Sequence, residues 1–180
     1  MASVRLCIGA LVFLNLFVCY NFYTKDTVPD IEDQKFIDEC IHVHNNFRSN
    51  VKPPASNMKR MSWDYRLAKI AQGWARKCVF QHNLDLLIPY NAHPQFAHVG
   101  ENIWAGPLSN FSVTTALTSW FDEIENYEYA TQLCHKICAH YTQLVWATTY
   151  KVGCAAHFCA TLRNYTEPDA VLFVCDYGPA

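Results

Sequence analysis

The chain has 180 residues, of which 51% are hydrophobic, so it is about the size of one domain and can form one apolar core. Its formal net charge of −2 excludes the strongly basic surface that most nucleic-acid-binding proteins use. We therefore expect a single globular domain that does not bind nucleic acid.

The N-terminal segment is typical of a secretory signal. Arg5 precedes an almost unbroken apolar run from Leu6 to Val18. At about 13 residues, this run is shorter than the roughly 20 that are needed to span a bilayer. A short membrane anchor is the alternative, but polar residues follow from Asn21. We interpret residues 1–22 as a signal peptide and expect the mature protein to be secreted.

Four amphipathic segments predict helices. In the second of them, Leu67, Ile70, Ala71 and Trp74 recur at helical spacing, which indicates one buried face. Ser112 is a suitable cap for the third. The predicted helices are, approximately, Asp33–Ser49, Asp64–Lys77, Val113–Glu125 and Ala139–Ala147.

Strand signals are concentrated late in the chain. Segments rich in Val, Phe, Tyr and Cys predict strands at Lys151–Phe158 and Ala170–Tyr177, and a short strand is predicted at Val99–Ala105. The long segment Phe80–Val99 is predicted to be irregular, and long loops of this kind are often functional. Helices mixed with a few strands indicate an α+β fold.

Four stretches place ionisable side chains in apolar surroundings: His82 in CVFQHN, Glu101 in GENIW, Glu123 in WFDEI and His140 in HYTQLVW. At 100° per residue, Glu123 lies at the border of the buried face of the third helix. Two imidazoles and two carboxylates that converge in one cleft would form a metal site or an acid–base centre. The alternative is a structural network of two His–Glu hydrogen bonds.

These stretches, followed by FVCDYGP near the C-terminus, resemble the CAP superfamily of cysteine-rich secretory, antigen 5 and pathogenesis-related proteins. Details such as HNNFRS and YKVGC resemble the branch of glioma pathogenesis-related proteins most closely. The resemblance covers residues 31–180 and implies a CAP (SCP) domain with a three-layer α-β-α sandwich. Two residues depart from the usual pattern: Ala139 before His140, and Asp176 before Tyr177.

The resemblance implies that His82, Glu101, Glu123 and His140 line a shallow cleft that binds a divalent metal, often zinc. Zn²⁺ would cancel the charge of the two carboxylates and accepts imidazole ligands. Alternatively, the glutamates orient the imidazoles through N–H bonds without binding the metal themselves. A metal-dependent hydrolase is the alternative activity, but the chain has no HExxH or GxSxG motif. We therefore assign no catalytic residue and expect a binding protein rather than an enzyme.

The resemblance also implies binding of sterols or other lipids, and of extracellular protein partners in reproduction or defence. The long loop offers apolar residues for a lipid, although each of them could equally pack onto the core: Leu84, Leu86, Leu87, Ile88, Tyr90 and Phe96. The sequence ends at Ala180, within the last motif, so we expect neither a cysteine-rich hinge nor a membrane anchor.

Removal of the signal peptide would leave seven cysteines, whose pairing the sequence alone does not determine. The resemblance implies Cys78–Cys159, Cys154–Cys175 and Cys134–Cys138, with Cys40 left over. Asn110 and Asn164 begin N-x-S/T sequons and are candidate glycosylation sites. The remaining histidines have no assigned role: His42 and His44 are expected in solvent or at the core edge, and His93 and His98 at the rim of the cleft.

Overall fold

The computed structural model describes residues 4–8 and 18–180. Strands β1 (Val4–Ile8) and β2 (Val18–Phe22) pair with each other in antiparallel orientation. Residues 9–17, most of the apolar run of the predicted signal peptide, lie outside the described residues. The division at residue 22 stays a prediction. In the described part of the chain, no helix is both long and apolar enough to cross a membrane.

A four-stranded sheet forms the centre of the domain. Strands β7 (Lys151–Cys159), β8 (Ala170–Gly178) and β4 (Gly100–Pro107) are antiparallel neighbours, with β8 in the middle. The two-residue strand β3 (Ser62–Trp63) adds to β7 in parallel at the edge. The three long strands lie within one or two residues of the predicted segments, and only β3 was not predicted.

The four predicted helices are present, with capping side chains at their first turns. Asp33, Asp64 and Ser112 accept hydrogen bonds from backbone N–H groups and so begin the first three helices. The third ends early, because the chain continues as a 3₁₀ helix over Asp122–Asn126. The helices are α1 (Gln34–Ser49), α2 (Tyr65–Ala75), α3 (Val113–Phe121) and α4 (Ala139–Leu144).

The side chains of β8 alternate between two core layers. Phe173 and Tyr177 pack with residues of α1, α3 and α4, whereas Leu172 and Val174 pack with residues of α2. Gly153 on β7 allows α2 to lie directly on the sheet, because a Cβ there would collide with the backbone N of Ala68. Helices therefore cover both faces of the sheet, which confirms the α+β fold with three layers.

Among the side chains that the structure describes, three disulfides cross-link the domain. Cys78–Cys159 joins the segment after α2 to β7, Cys154–Cys175 links β7 to β8, and Cys134–Cys138 closes a local loop. Cys134 ends a small antiparallel ribbon of β5 (Tyr127–Glu128) and β6 (Leu133–Cys134), which was not predicted. Among the cysteines from residue 23 onward, whose side chains the structure describes, Cys40 is free and buried.

Arg48 of α1 is a buried charge that is solvated by backbone carbonyls. Its guanidinium donates to the carbonyl oxygens of Lys59, Leu144, Trp146 and Thr149 at 2.6–3.2 Å. Burial lowers the pKa of Arg48 to about 10, so the side chain is still charged at neutral pH. One side chain therefore holds the end of α4 and the chain that follows it against α1.

We expect Arg48→Ala to destabilise the domain by about 3 kcal/mol or more, because several carbonyls lose a charged donor at once. Chemical denaturation followed by circular dichroism measures this change. Arg60→Ala is the matched control, since Arg60 is exposed, and it should change stability by less than about 0.5 kcal/mol. Equal stability of the two variants would contradict the assigned role of Arg48.

Candidate metal-binding cleft

The first His–Glu pair joins the long loop to the sheet. Glu101, on β4, has one oxygen (Oε1) 2.9 Å from Nδ1 of His82, and the same oxygen accepts the backbone N–H of Asn83 at 2.9 Å. The Glu101 side chain is only 3% exposed, whereas that of His82 is 55% exposed. The hydrogen bond to Glu101 raises the pKa of His82, against the opposing effect of burial.

The second pair joins the end of α3 to the start of α4. Glu123 lies in the 3₁₀ helix after α3, and its Oε1 is 2.6 Å from Nδ1 of His140. Its Oε2 accepts the backbone N–H groups of His140 and Tyr141 at 3.0 and 3.2 Å. The Cys138 side chain makes no capping hydrogen bond to α4, so Glu123 caps this helix from another element.

The structure brings the two pairs face to face. The ring centroids of His82 and His140 are 6.5 Å apart, with an angle of 32° between the planes. Trp120 stacks on His140, with centroids 6.1 Å apart and planes within 9° of parallel. Because each Nδ1 is bonded to a glutamate, Nε2 is the ring nitrogen that each histidine can present to a ligand.

The donor set fits a divalent metal held by the two imidazoles. With Zn–N bonds of about 2.0–2.1 Å, two imidazoles on one ion have centroids roughly 5–6 Å apart, only slightly closer than in this structure. His82 is exposed enough to rotate by the small amount required. A carboxylate on the second nitrogen of a metal-binding histidine is also the usual outer-shell partner. The residues therefore fit the predicted metal, with the glutamates orienting the histidines.

Two other groups of possible ligand atoms lie within 4.8 Å of one another in the described residues: His44 with Cys154 and Cys175, and His157 with Cys78 and Cys159. Neither is a plausible metal site, because all four cysteines are in disulfides and have no thiolate to offer. The ligand atoms of the His82–His140 cleft are more widely spaced than in these groups, which is consistent with two pairs rather than one compact cluster.

Asp176 is an acidic neighbour of the cleft that the sequence analysis noted only as a departure from the family pattern. It lies directly opposite Glu101 in the β4–β8 register and is fully buried. Both Asp176 oxygens and Oε2 of Glu101 lack a hydrogen-bond partner among the described residues. Burial, and then the charge of Glu101, raise the pKa of Asp176 well above its usual range. Its pairing with Glu101 depends on strand register, which the motifs alone did not reveal.

A buried polar network supports His140 from behind. Asn102 donates to the carbonyl oxygen of His140 at 3.0 Å and to the Tyr177 hydroxyl at 3.4 Å. That hydroxyl is also 2.9 Å from Nε2 of His44. Burial lowers the pKa of His44 to about 4, so its ring is neutral at physiological pH. The expectation of a core-edge or solvated His44 was wrong, although its spacing from Cys40 already placed it on the buried face of α1.

Other predicted positions are distributed over the surface and the core. His93 is buried, stacks on Phe96 and lies 3.7 Å from Asp64, so it does not line the rim of the cleft. The sequon residues Asn110 and Asn164 are exposed, as a glycan acceptor must be. Their glycosylation stays a prediction.

The apolar residues of the long loop divide into two sets. Leu86 and Phe96 are buried and pack with Leu67 and Val99. The other four are 54–67% exposed: Leu84, Leu87, Ile88 and Tyr90.

A separate cavity of about 300 Å³ lies beside α4 and the β5–β6 ribbon. Its apolar and aromatic lining includes Tyr127, Tyr129, Tyr141, Val145 and Trp146. This volume is at the lower end of the range for small-molecule sites, about 300–1,000 Å³.

We expect Asp176→Asn to stabilise the metal-free domain at pH 8, by roughly 1–2 kcal/mol, because a buried amide is neutral at every pH, whereas a buried Asp176 must hold a proton or carry an unpaired charge. Because folding raises the pKa of Asp176, the wild-type domain loses stability as the pH rises from the ordinary aspartate pKa toward the raised one. The advantage of the variant should therefore shrink as the pH falls toward 4. Denaturation curves in chelator over this pH range measure it, and a pH-independent difference would contradict the explanation.

Comparison with known proteins supports the resemblance noted in the sequence. The profile of the cysteine-rich secretory protein family, CAP, matches residues 41–177. Mouse glioma pathogenesis-related protein 1 is 46% identical over 173 residues, covering 96% of this chain and 64% of the relative. GLIPR1-like protein 1 from Bos taurus is 47% identical over 152 residues, covering 84% of this chain and 62% of the relative. The chain thus spans less than two thirds of the length of these relatives.

Solved structures match over most of the domain. The crystal structure of NaASP2 with Zn²⁺ has a TM-score of 0.64 and 26% identity, and the match covers 82% of this chain and 81% of that one. Venom allergen-like protein 4 of Schistosoma mansoni has a TM-score of 0.60 and 27% identity, covering 81% and 84% of the two chains. The chain belongs to the CAP family of cysteine-rich secretory proteins.

Proposed function

We propose that this chain is an extracellular CAP domain whose cleft binds a divalent metal, zinc in particular. One observation carries the proposal: two imidazoles from distant segments face each other, and each is held by a glutamate through Nδ1. This is the arrangement in which both Nε2 atoms are available to one ion. The similar crystal structure of NaASP2 is one with Zn²⁺, which supports the choice of metal.

The charges around the cleft favour a cation. Glu101 and Glu123 lie behind the two histidines, and both side chains are largely buried. Buried carboxylates are stabilised by a nearby positive charge, which a bound Zn²⁺ supplies together with Lewis acidity. The protein itself fixes the ligands: Glu101 and Glu123 orient the two imidazole rings, and Trp120 packs against His140.

A metal-dependent hydrolase is the alternative, and the hydrogen bonds favour binding over catalysis. A general base needs an oxygen that can reach a water in the cleft. Both oxygens of Glu123 already accept hydrogen bonds: one from the His140 ring, the other from two backbone N–H groups of α4. Oε1 of Glu101 likewise accepts two hydrogen bonds. The remaining oxygen, Oε2 of Glu101, is buried and so does not face a water in the cleft. Peptidase and esterase assays of the zinc-loaded domain, with His82→Ala and His140→Ala, test the alternative directly.

Sterol or lipid binding is a second candidate function, which the cavity beside α4 favours. The exposed Trp146 and the ring of Tyr129 give this cavity an apolar wall that a flat, hydrophobic ligand could cover. The apolar residues of the long loop are divided between core and solvent, and so they do not form a groove by themselves.

We expect zinc to bind the purified domain with one site, and the loss of either histidine to weaken binding by at least about 100-fold. Glu101→Gln and Glu123→Gln should weaken it by about 10–100-fold, as is typical of outer-shell partners. Isothermal titration calorimetry measures these affinities. His42→Ala is the control, because His42 is exposed on α1 and should bind as the wild type does. Unchanged affinity in both histidine variants would contradict the proposal.

The same titration at lower pH tests the protonation state of the ligands. Metal binding requires neutral imidazole, and Glu101 raises the pKa of His82, so protons compete for this ligand at higher pH than for an ordinary histidine. Zinc affinity should therefore fall at least tenfold between pH 7.5 and pH 5.5. Equal affinity at both values would exclude the two imidazoles as direct ligands.

For the second candidate, we expect a fluorescent sterol to bind the wild type and to bind Trp146→Ala about tenfold more weakly, because the aromatic wall is lost. Leu87→Asp, on the separate loop, is the control and should leave sterol affinity unchanged. If Leu87→Asp abolishes binding and Trp146→Ala does not, the sterol site lies on the loop and the cavity assignment is wrong.

A further inference from the structure

We propose that a basic pocket between α1 and the segment before β3 binds a phosphate monoester of a small organic molecule. The basic pocket has a volume of about 340 Å³, and among the described residues no Asp or Glu lines it. It adjoins the cavity beside α4, but neither the aromatic side chains of that cavity nor the residues of the metal cleft line it. Three cationic and three apolar residues define it: Arg48, Lys59 and Arg60, with Pro54, Ala55 and Met58.

Arg48 contributes a buried positive charge that no carboxylate neutralises in the described part of the chain. Its side chain donates to backbone carbonyl oxygens alone, and the ion pairs of the described residues all involve histidines. Buried arginines are usually paired with an opposite charge. The carbonyl dipoles stabilise the guanidinium but leave its net charge, so the basic pocket beside it has a positive potential.

The sequence around Arg48 also lacks acidic residues. Residues 40–63 contain four Lys or Arg and no Asp or Glu, and residues 129–166, which supply most of its carbonyl partners, contain no Asp or Glu either. On α1, the nearest acid in sequence is Glu39. It lies about 13 Å away along the helix, beyond the Debye length of about 8 Å at physiological ionic strength. Because the whole chain has a net charge of −2, this region is selectively basic.

Lys59 and Arg60 supply donors for a ligand. Both side chains are exposed, and within the described ranges neither forms an ion pair. The Lys59 ammonium lies 5.1 Å from the centroid of the Tyr150 ring, a contact that occupies none of its donors in a hydrogen bond. The guanidinium of Arg60 is a planar fork that matches two oxygens of a phosphate. Together, the two cations balance a phosphate monoester, whose charge is about −1.5 to −2 at pH 7.

The backbone that carries these two side chains is fixed on both sides. Asn45 of α1 donates to the carbonyl of Met61 at 3.0 Å and accepts the Met61 N–H at 2.8 Å. The Lys59 N–H donates to the carbonyl of Ala147 at 3.0 Å, and the Lys59 carbonyl accepts the guanidinium of Arg48. Arg60 therefore lies between two anchored residues, and a ligand does not have to order this segment.

The apolar side of the basic pocket indicates that the phosphate is attached to an organic group. Pro54, Ala55 and Met58 offer it no charge and no side-chain hydrogen-bond donor. The volume of about 340 Å³ lies within the range for small-molecule sites, about 300–1,000 Å³, and a phosphate alone would leave much of it unfilled. Burial of an apolar group against these residues adds to binding.

Titration of the isotope-labelled, metal-free domain with propyl phosphate, followed by NMR at about pH 7.5, tests the proposal. We expect saturable shifts around residues 58–61, with half-saturation at about 1 mM or below. Lys59→Ala and Arg60→Ala should each weaken binding by about tenfold or more, because each removes a charged donor. Lys52→Ala is the matched control, since Lys52 is an exposed lysine that lines the adjoining cavity, and it should change affinity less than about twofold.

Further ligands and variants decide what the basic pocket recognises. Propyl sulfate, with a single charge, and inorganic phosphate, with no organic group, should each bind several-fold more weakly than propyl phosphate. Equal affinity for either would overturn the assigned ligand. Absence of saturable shifts up to about 20 mM propyl phosphate, or an equal loss of affinity in Lys52→Ala, would overturn the site itself. His82→Ala should bind propyl phosphate as the wild type does, which separates this result from the metal proposal, and thermal melts establish that the variants are folded.

Discussion

The position of His140 depends on how a very short helix is held at both ends. Helix α4 has six residues, and helices of this length are not stable in isolation. Glu123 binds the N–H groups at its start, and the buried guanidinium of Arg48 binds carbonyls at its end and beyond. Since the same Glu123 also binds the His140 ring, the helix and the imidazole are oriented by one carboxylate. The cleft therefore depends on how α4 is attached to α1 and α3 in the helix layer on one face of the sheet.

Glu101 has the equivalent role on the other side. It binds the His82 ring and the neighbouring backbone N–H, and it does so from the central sheet. The structural explanation of the tetrad and the metal-binding explanation are thus compatible, because the hydrogen bonds that fix the two segments also leave both Nε2 atoms available. Hydrogen bonds thus already orient both imidazole rings for metal binding. Binding then costs little reorganisation, as for any preorganised site.

Much of the fold was predictable because its signals are local. Asp64 and Ser112 precede apolar periodic segments and cap α2 and α3, and the apolar runs of β7 and β8 match buried strands. The candidate site residues were predicted from the order of the sequence motifs, and not from hydrophobic periodicity. What the sequence did not reveal depends on distant pairing: the register that sets Asp176 against Glu101, the carbonyl partners of Arg48, and the burial of His44 beneath Tyr177. The sequence pattern also did not distinguish the 3₁₀ helix after α3, which positions Glu123, from a continuation of the α-helix.

The 3₁₀ turn of the long loop, Leu84–Leu87, is joined to the cleft through one residue, Asn83. Asn83 donates its N–H to Glu101 and accepts the N–H of Asp85, so one residue is bonded to the cleft carboxylate and to the first turn of the 3₁₀ helix. His82 precedes it directly. Any movement of the turn that displaces Asn83 must lengthen its bond to Glu101, and that carboxylate in turn orients His82. The exposed Leu84 and Leu87 therefore belong to a turn whose capping residue is hydrogen-bonded to the carboxylate that orients the His82 imidazole.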